Sequence, residues 1–169
     1  MKNITGLLLT LSHDEIKMQE NIMKKHEEAA EIFNKGFNCS QSVFSVFSDD
    51  FGIARNDAAK IARGFGGGIA RLGEVCGAVS GAVMVLGLKQ ESGNLKEEEK
   101  KEDVYDKVNE FVKKFKEKNS SILCKDLLGE DLLTENGRHN AKEKNLHETV
   151  CTKLVKDAVE ILEEILKNK

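Results

Sequence analysis

The stretch from Gly64 to Leu88, GFGGGIARLGEVCGAVSGAVMVLGL, constrains the fold more than any other part of the chain. From Val75 onward it holds only Val, Cys, Gly, Ala, Ser, Met and Leu, so a helix here is apolar all round, and helices of that kind lie inside a protein. It is read as the central helix of the fold. Gly73, Gly77 and Gly81 recur every four residues and form one smooth stripe along which another backbone, or a flat cofactor, can approach closely. Cys76 stands next to that stripe. The apolar run from Val75 to Leu88 is interrupted by glycine and shorter than the roughly 20 residues a bilayer span needs, so it reads as a core helix and not an anchor.

The rest of the chain supplies what packs around this segment. Ser12 and Glu15 form a capping-box pattern, followed by helical periodicity from Ile16 to Phe33 and a stop at Gly36, with His26 on the apolar face. Asn38 is placed to cap a second helix on which Cys39, Val43, Val46 and Phe47 share a face. Asn56 reads as the cap of a short helix, Asp57 to Arg63. Lys89 to Lys101 is a polar connection and the expected site of proteolysis. A long amphipathic helix follows, from about Leu95 to Lys118, and Ser121 is placed to cap a short helix carrying Cys124, Leu127 and Leu128 up to Gly129. Glu130 to Lys144 reads as irregular, with a turn at Asn136 and Gly137, before a last helix from Leu146 to Leu166 that carries Cys151.

No segment alternates with period two, and the expectation is an all-α protein, a compact bundle of about six helices around the glycine-rich one. The 169 residues, 33% charged and 40% hydrophobic, suffice for one domain spanning 1–169, with 1–28 as a helical extension within it. A net charge of -3 with interspersed Lys and Glu gives no footprint for nucleic acid. The opening MKNITGLLLTLSHDE lacks the length of apolar run and the cleavage site of a secretory signal, so a cytoplasmic location is expected.

Chemistry rests on Cys39, Cys76, Cys124 and Cys151, which contain no CxxC pair and so match neither a zinc finger nor a dense disulfide framework. All four fall on apolar helix faces, and one shared core would draw them together from separate helices. Packing as small hydrophobes is the competing explanation. Cys39 and Cys76 lie near helix starts, where free amides favour a thiolate, whereas Cys124 and Cys151 are better placed as resolving partners or metal ligands. Cys76 is expected to titrate below about 8.5 if the amides and Arg71 outweigh Glu74 and the cost of burial. His147 and Cys151, four residues apart, could chelate one metal together, with a plain helix-start residue as the competing reading of His147, and His26 reads as a core-edge histidine held by a backbone group. The glycine run from Gly64 to Gly68 misses GxGxxG, but with Arg63 and Arg71 beside it the turn can serve as an anion nest.

FNCSQSVF around Cys39, GEVCGAVSGAVMVLGL around Cys76 and the single cysteines 124 and 151 together resemble the redox-active four-cysteine protein family labelled by its C, GCAxxG, C, C pattern. The label places Gly before Cys, whereas this chain reads Val75, Cys76, Gly77, Ala78, Val79, Ser80, Gly81, so CGAVSG is taken as the motif. The resemblance covers about Ala29 to Leu162 and implies a redox role carried by Cys39, Cys76, Cys124 and Cys151, with no extension to the histidines. The leading expectation is a thiol-redox protein in which Cys76 or Cys39 attacks and another core cysteine resolves, with an unknown redox partner or small molecule as its counterpart. The alternative is a non-enzymatic module in which the same four cysteines hold zinc or an iron-sulfur cluster. A helical interaction domain with inert thiols is the third.

Overall fold

The structure, a computed structural model, describes residues 25–89 and 96–167. Among the described residues it is all-helical, with eight α-helices and no strand. These are α1 (25–34), α2 (Cys39–Ser48), α3 (Arg55–Ile61), α4 (Gly77–Leu88), α5 (Glu97–Asn119), α6 (Cys124–Leu128), α7 (Glu135–Glu143) and α8 (Thr152–Lys167). The capping box expected at Ser12 and Glu15 and residues 90–95 of the expected polar connection lie outside the described residues.

Helix α2 is enclosed on every side: all ten of its residues, CSQSVFSVFS, are buried. It packs against α3, α4 and α8, and α5 lies along α8. Helix α4 buries Gly77, Ala78, Val79, Gly81, Ala82, Val85 and Leu86 but leaves Val83 and Gly87 exposed, so its uniform apolarity does not translate into burial all round. The closest packing is between these two helices. A Cβ on Gly81 would stand 2.8 Å from the Ser40 carbonyl oxygen, and one on Gly77 would stand 3.1 Å from the Ser40 amide nitrogen. Gly73 is not part of this stripe; it precedes α4 in a loop with a φ of +76°.

Phe33, Phe47, Phe111 and Phe115 fill the core with Leu86, Leu162 and a set of valines. Helix α8 contributes Leu154, Val155, Ala158, Val159, Ile161, Leu162 and Ile165 from one face, the amphipathic pattern its sequence shows. Its polar edge binds α5 through Lys114 to Glu164 (2.6 Å) and Lys118 to Glu160 (2.7 Å). Helix α5 matches its dipole with Glu97, Glu98 and Glu99 in the first turn and Lys116 and Lys118 in the last.

Several sequence expectations are corrected. Helix α3 begins at Arg55 after Ala54, so Asn56 lies inside it; Arg55 is held there by Asp49 at 2.7 Å and by Glu28. Helix α6 starts at Cys124, and Ser121 instead accepts the Leu123 amide at 3.0 Å in a local turn. The segment read as irregular contains α7. Thr134 caps it by accepting the Gly137 amide, and Arg138 donates to the carbonyls of Leu132 and Leu133. None of the described helices is both long and apolar enough to cross a membrane.

Candidate functional site

Each cysteine is placed by an identifiable piece of local structure. Cys39 is the first residue of α2, directly after the Asn38 cap. Asn38 accepts the Gln41 amide and Gln41 accepts the Asn38 amide, both at 3.0 Å, a reciprocal capping box. The Asn38 side chain also donates to the Arg63 carbonyl at 2.9 Å, tying the start of α2 to the segment before the glycine-rich turn.

Cys76 and Cys124 are brought together by an antiparallel bridge between Val75 and Leu123. The Cys76 amide donates to the Ile122 carbonyl at 2.8 Å and the Cys124 amide donates to the Glu74 carbonyl at 2.7 Å. Both cysteines follow a bridge residue by one position, so both side chains project to the face opposite Val75 and Leu123. Gly68 backs this arrangement, since a Cβ there would come within 2.6 Å of the Cys124 Cβ.

Cys151 closes a π-helical turn, His147–Cys151, that leads into α8. Such turns interrupt the regular hydrogen-bond ladder and re-aim side chains, often at functional positions. Here the Thr152 amide and hydroxyl both donate to the His147 carbonyl. The turn sets the His147 ring flat against Phe33, with centroids 3.9 Å apart. Burial lowers the His147 pKa, so the imidazole is neutral at pH 7.

The four sulfurs converge closely enough to influence one another's ionisation. Cys39 feels Cys76, Cys124 and Cys151; Cys76 feels Cys151; and Cys124 feels both Cys76 and Cys151. Interaction with Cys151, together with burial, raises Cys39 well above the ordinary thiol range, and the same interaction lowers Cys151. This direction agrees with exposure: Cys39 is 8% exposed, whereas Cys151 is only half-buried and so ionises at less cost.

Cys76 overturns the sequence expectation. Burial pushes it up to about 11, because it is 2% exposed. The Ala78 and Val79 amides pull the other way, but no side-chain hydrogen bond of capping geometry forms. Burial also takes Cys124 up to about 12. The order expected from helix position is therefore reversed, and Cys151 is the thiol most readily ionised.

Cys39, Cys124 and Cys151 line a cavity of about 590 Å³, while Cys76 lies behind its wall. His147 and Cys151 also line a smaller cavity of about 280 Å³. The main cavity's other side is a left-handed turn in which five successive residues, Gly67, Gly68, Ile69, Ala70 and Arg71, have φ between +50° and +73°. Left-handed conformation costs a non-glycine residue about 1–2 kcal/mol, so Ile69, Ala70 and Arg71 are strained. Wide backbone hydrogen bonds hold the turn, Ala70 amide to Gly64 carbonyl at 2.9 Å and Glu74 amide to Gly68 carbonyl at 3.1 Å.

The arrangement does not fit a metal site: among the described residues, no group of three or more His, Cys, Asp or Glu side chains is gathered to hold an ion. A zinc cage needs several thiolates at about 2.3 Å from one centre. Here Cys76 does not line the cavity that Cys39, Cys124 and Cys151 share. His147 and Cys151 do not form the expected α-helical chelating pair, because they sit on a π-turn. His26 has its Nδ1 buried without a hydrogen-bond partner and its Nε2 3.4 Å from Glu27, so it is not held by a backbone group. The sequence offered no signal for the π-turn or for the Cys39–Cys151 contact; the hydroxyl of Thr152 and the left-handed Asn145 just before the turn are visible only in retrospect.

No solved structure matches the chain significantly. An uncharacterized protein of Archaeoglobus fulgidus is 30% identical over 158 residues, covering 89% of this chain and 98% of its own length. The family model described as "Putative redox-active protein (C_GCAxxG_C_C)" matches residues 37–165, a span that includes all four converging cysteines, and the chain belongs to that family.

Proposed function

We propose that the protein carries out dithiol–disulfide exchange with Cys151 as the attacking thiolate and Cys39 as the resolving thiol. The carrying observation is that Cys39 and Cys151 line one cavity, where the interaction between them favours the thiolate on Cys151. Cys151 is also the more exposed of the two. Burial lowers the His147 pKa, so this ring adds little charge beside the thiolate and the interaction with Cys39 is its main support.

In the oxidising direction, the Cys151 sulfur bonds to one sulfur of an incoming disulfide as that disulfide's S–S bond breaks and the first thiolate leaves. Cys39 gives its proton to that leaving thiolate, and its sulfur then displaces the second from Cys151. A Cys39–Cys151 disulfide forms, two electrons pass to the substrate, and the second leaving thiolate takes its proton from solvent. This chemistry suits a reducing compartment such as the cytoplasm. The enclosed α2 and the helices around it would act as the rigid frame of the bundle that holds Cys39 in register.

Site-resolved alkylation of the reduced, folded protein tests the assignment. Cys151 should label fastest, and Cys39→Ala should move its pH midpoint upward by removing the donor. Oxidation with a small disulfide should give a Cys39–Cys151 link on peptide mapping. A Cys76–Cys124 link instead, or a Cys151 no faster than Cys76, would overturn the roles proposed.

A further inference from the structure

The cavity holds more than thiols. Arg63 and Arg71 both line it, and none of its lining residues is an aspartate or glutamate. Neither guanidinium has an ion-pair partner among the described residues. In a chain with 29 acidic residues and a net charge of -3, a lining of two unpaired arginines and no carboxylate is a local inversion of charge. Both arginines are exposed, and guanidinium groups bind carboxylates through paired N–H donors, so arginines without ion-pair partners along a cavity favour anions. Leu128 and Leu132 provide an apolar wall for the body of a ligand, and about 590 Å³ lies within the range of small-molecule sites.

The backbone is shaped to deliver one of these arginines. Arg71 has a φ of +73°, and a Cβ on Gly67 would stand 3.2 Å from the Arg71 Cα, so the left-handed turn folds Arg71 back over Gly67 towards the cavity. Strained conformations of this kind persist where surrounding structure fixes them, and they cluster at ligand sites. Arg63 is fixed through its carbonyl by Asn38, the residue that caps the helix of Cys39. The backbone of Arg63 is therefore tied to the start of the helix that carries Cys39.

We propose that the cavity binds a small disulfide bearing carboxylate groups, with Arg63 and Arg71 as the pair that recognises its anionic ends. This rests on the dithiol reading of Cys39 and Cys151. The carboxylates dock on the guanidinium groups and the substrate S–S bond lies over Cys151. Two anionic thiols leave, and the protein retains the Cys39–Cys151 disulfide.

The test uses three disulfides of similar size: 3,3′-dithiodipropionate (dianionic), bis(2-hydroxyethyl) disulfide (neutral) and cystamine (dicationic). Formation of the Cys39–Cys151 link is timed by quenched mass spectrometry, and each rate is divided by that of the same disulfide with free dithiothreitol to remove leaving-group effects. The dianionic probe should exceed the neutral one about tenfold and the cationic probe should fall below both. The preference should shrink towards unity at about 1 M salt, where the Debye length is about 3 Å, and in the Arg63→Ala/Arg71→Ala variant. The salt series on the unmodified protein decides the matter even if that variant misfolds. Oxidation with no charge preference, or a preference that survives both salt and removal of the arginines, overturns the anion site alone. Absence of a Cys39–Cys151 link with all three probes overturns the dithiol reading and the anion site together.

Discussion

Replacing Gly81 by Ala tests the contact that sets the position of α2, and with it that of Cys39. The added Cβ would lie 2.8 Å from the Ser40 carbonyl oxygen, 3.0 Å from the Val43 Cβ and 3.2 Å from the Ser40 Cα. None of these atoms can rotate away, because two belong to the backbone and the third is fixed to it. Overpacking of this kind costs about 1–3 kcal/mol, and the rigid partners place this site at the upper end. Alanine regains about 1 kcal/mol of helix propensity over glycine. The net expectation is a loss of about 2 kcal/mol, or about 4–8 °C in melting temperature for a chain of this size.

Two other glycines in the same helix calibrate that number. At Gly77 the nearest atoms are the Phe65 carbonyl oxygen at 3.0 Å, then the Cys39 Cβ and Ser40 amide nitrogen at 3.1 Å, so Gly77→Ala should cost less, about 0–1 kcal/mol. Nothing lies within 4 Å of a Cβ at exposed Gly87, and Gly87→Ala should stabilise by about 0.5 kcal/mol. Urea and thermal unfolding of the three variants give the order directly. If Gly81→Ala is as stable as Gly87→Ala, the α2–α4 separation is not set by glycine and the reasoning fails.

Glu163 is buried with an unpartnered Oε2, and burial raises its pKa to about 7 against the opposing effect of Lys167 and Lys25. A raised carboxyl favours the protonated native state, so its contribution is full below about 4.5 and is lost as pH rises through 7; Glu163→Gln should therefore stabilise by about 1 kcal/mol at pH 8 and by almost nothing at pH 4, as read from unfolding at both pH values. Ile69→Gly should relieve a left-handed β-branched residue and, after the entropy a glycine adds to the unfolded chain, stabilise by up to about 1 kcal/mol in urea unfolding.

Periodicity made most of the helices legible because α5 and α8 each bury one face and expose the other. Asn38 was legible as a cap because its chemistry is local and Gln41 completes the box three residues later. Helix α7 was not, because ENGRHNAKE carries no apolar stripe and owes its existence to the Thr134 cap and to Arg138 reaching back to two carbonyls. The convergence of cysteines could be suspected from their apolar faces, but their order of acidity could not. Helix position is a local property, whereas the burial that governs Cys76 and the partner that governs Cys151 are set by elements far apart in the chain.

That order separates four similar residues into two unequal pairs. At pH 7 a thiol raised to about 11, as Cys76 is, carries about one thiolate in 10⁴, roughly 300-fold fewer than an ordinary thiol near 8.5. Its greater intrinsic nucleophilicity returns only about tenfold, which leaves it about 30-fold slower before access is considered. Cys124, at about 12, is disfavoured further although it faces the cavity. Oxidising Cys39 and Cys151 would remove the charge that Cys151 places on both, yet desolvation is the larger cause in each case and a disulfide next door does not relieve it. The bridged pair should therefore stay reduced while the cavity pair cycles. On the roles proposed, Cys76 and Cys124 would serve the site by position: Cys76 stands where the bridge meets the start of α4, and Cys124 forms cavity wall against Gly68.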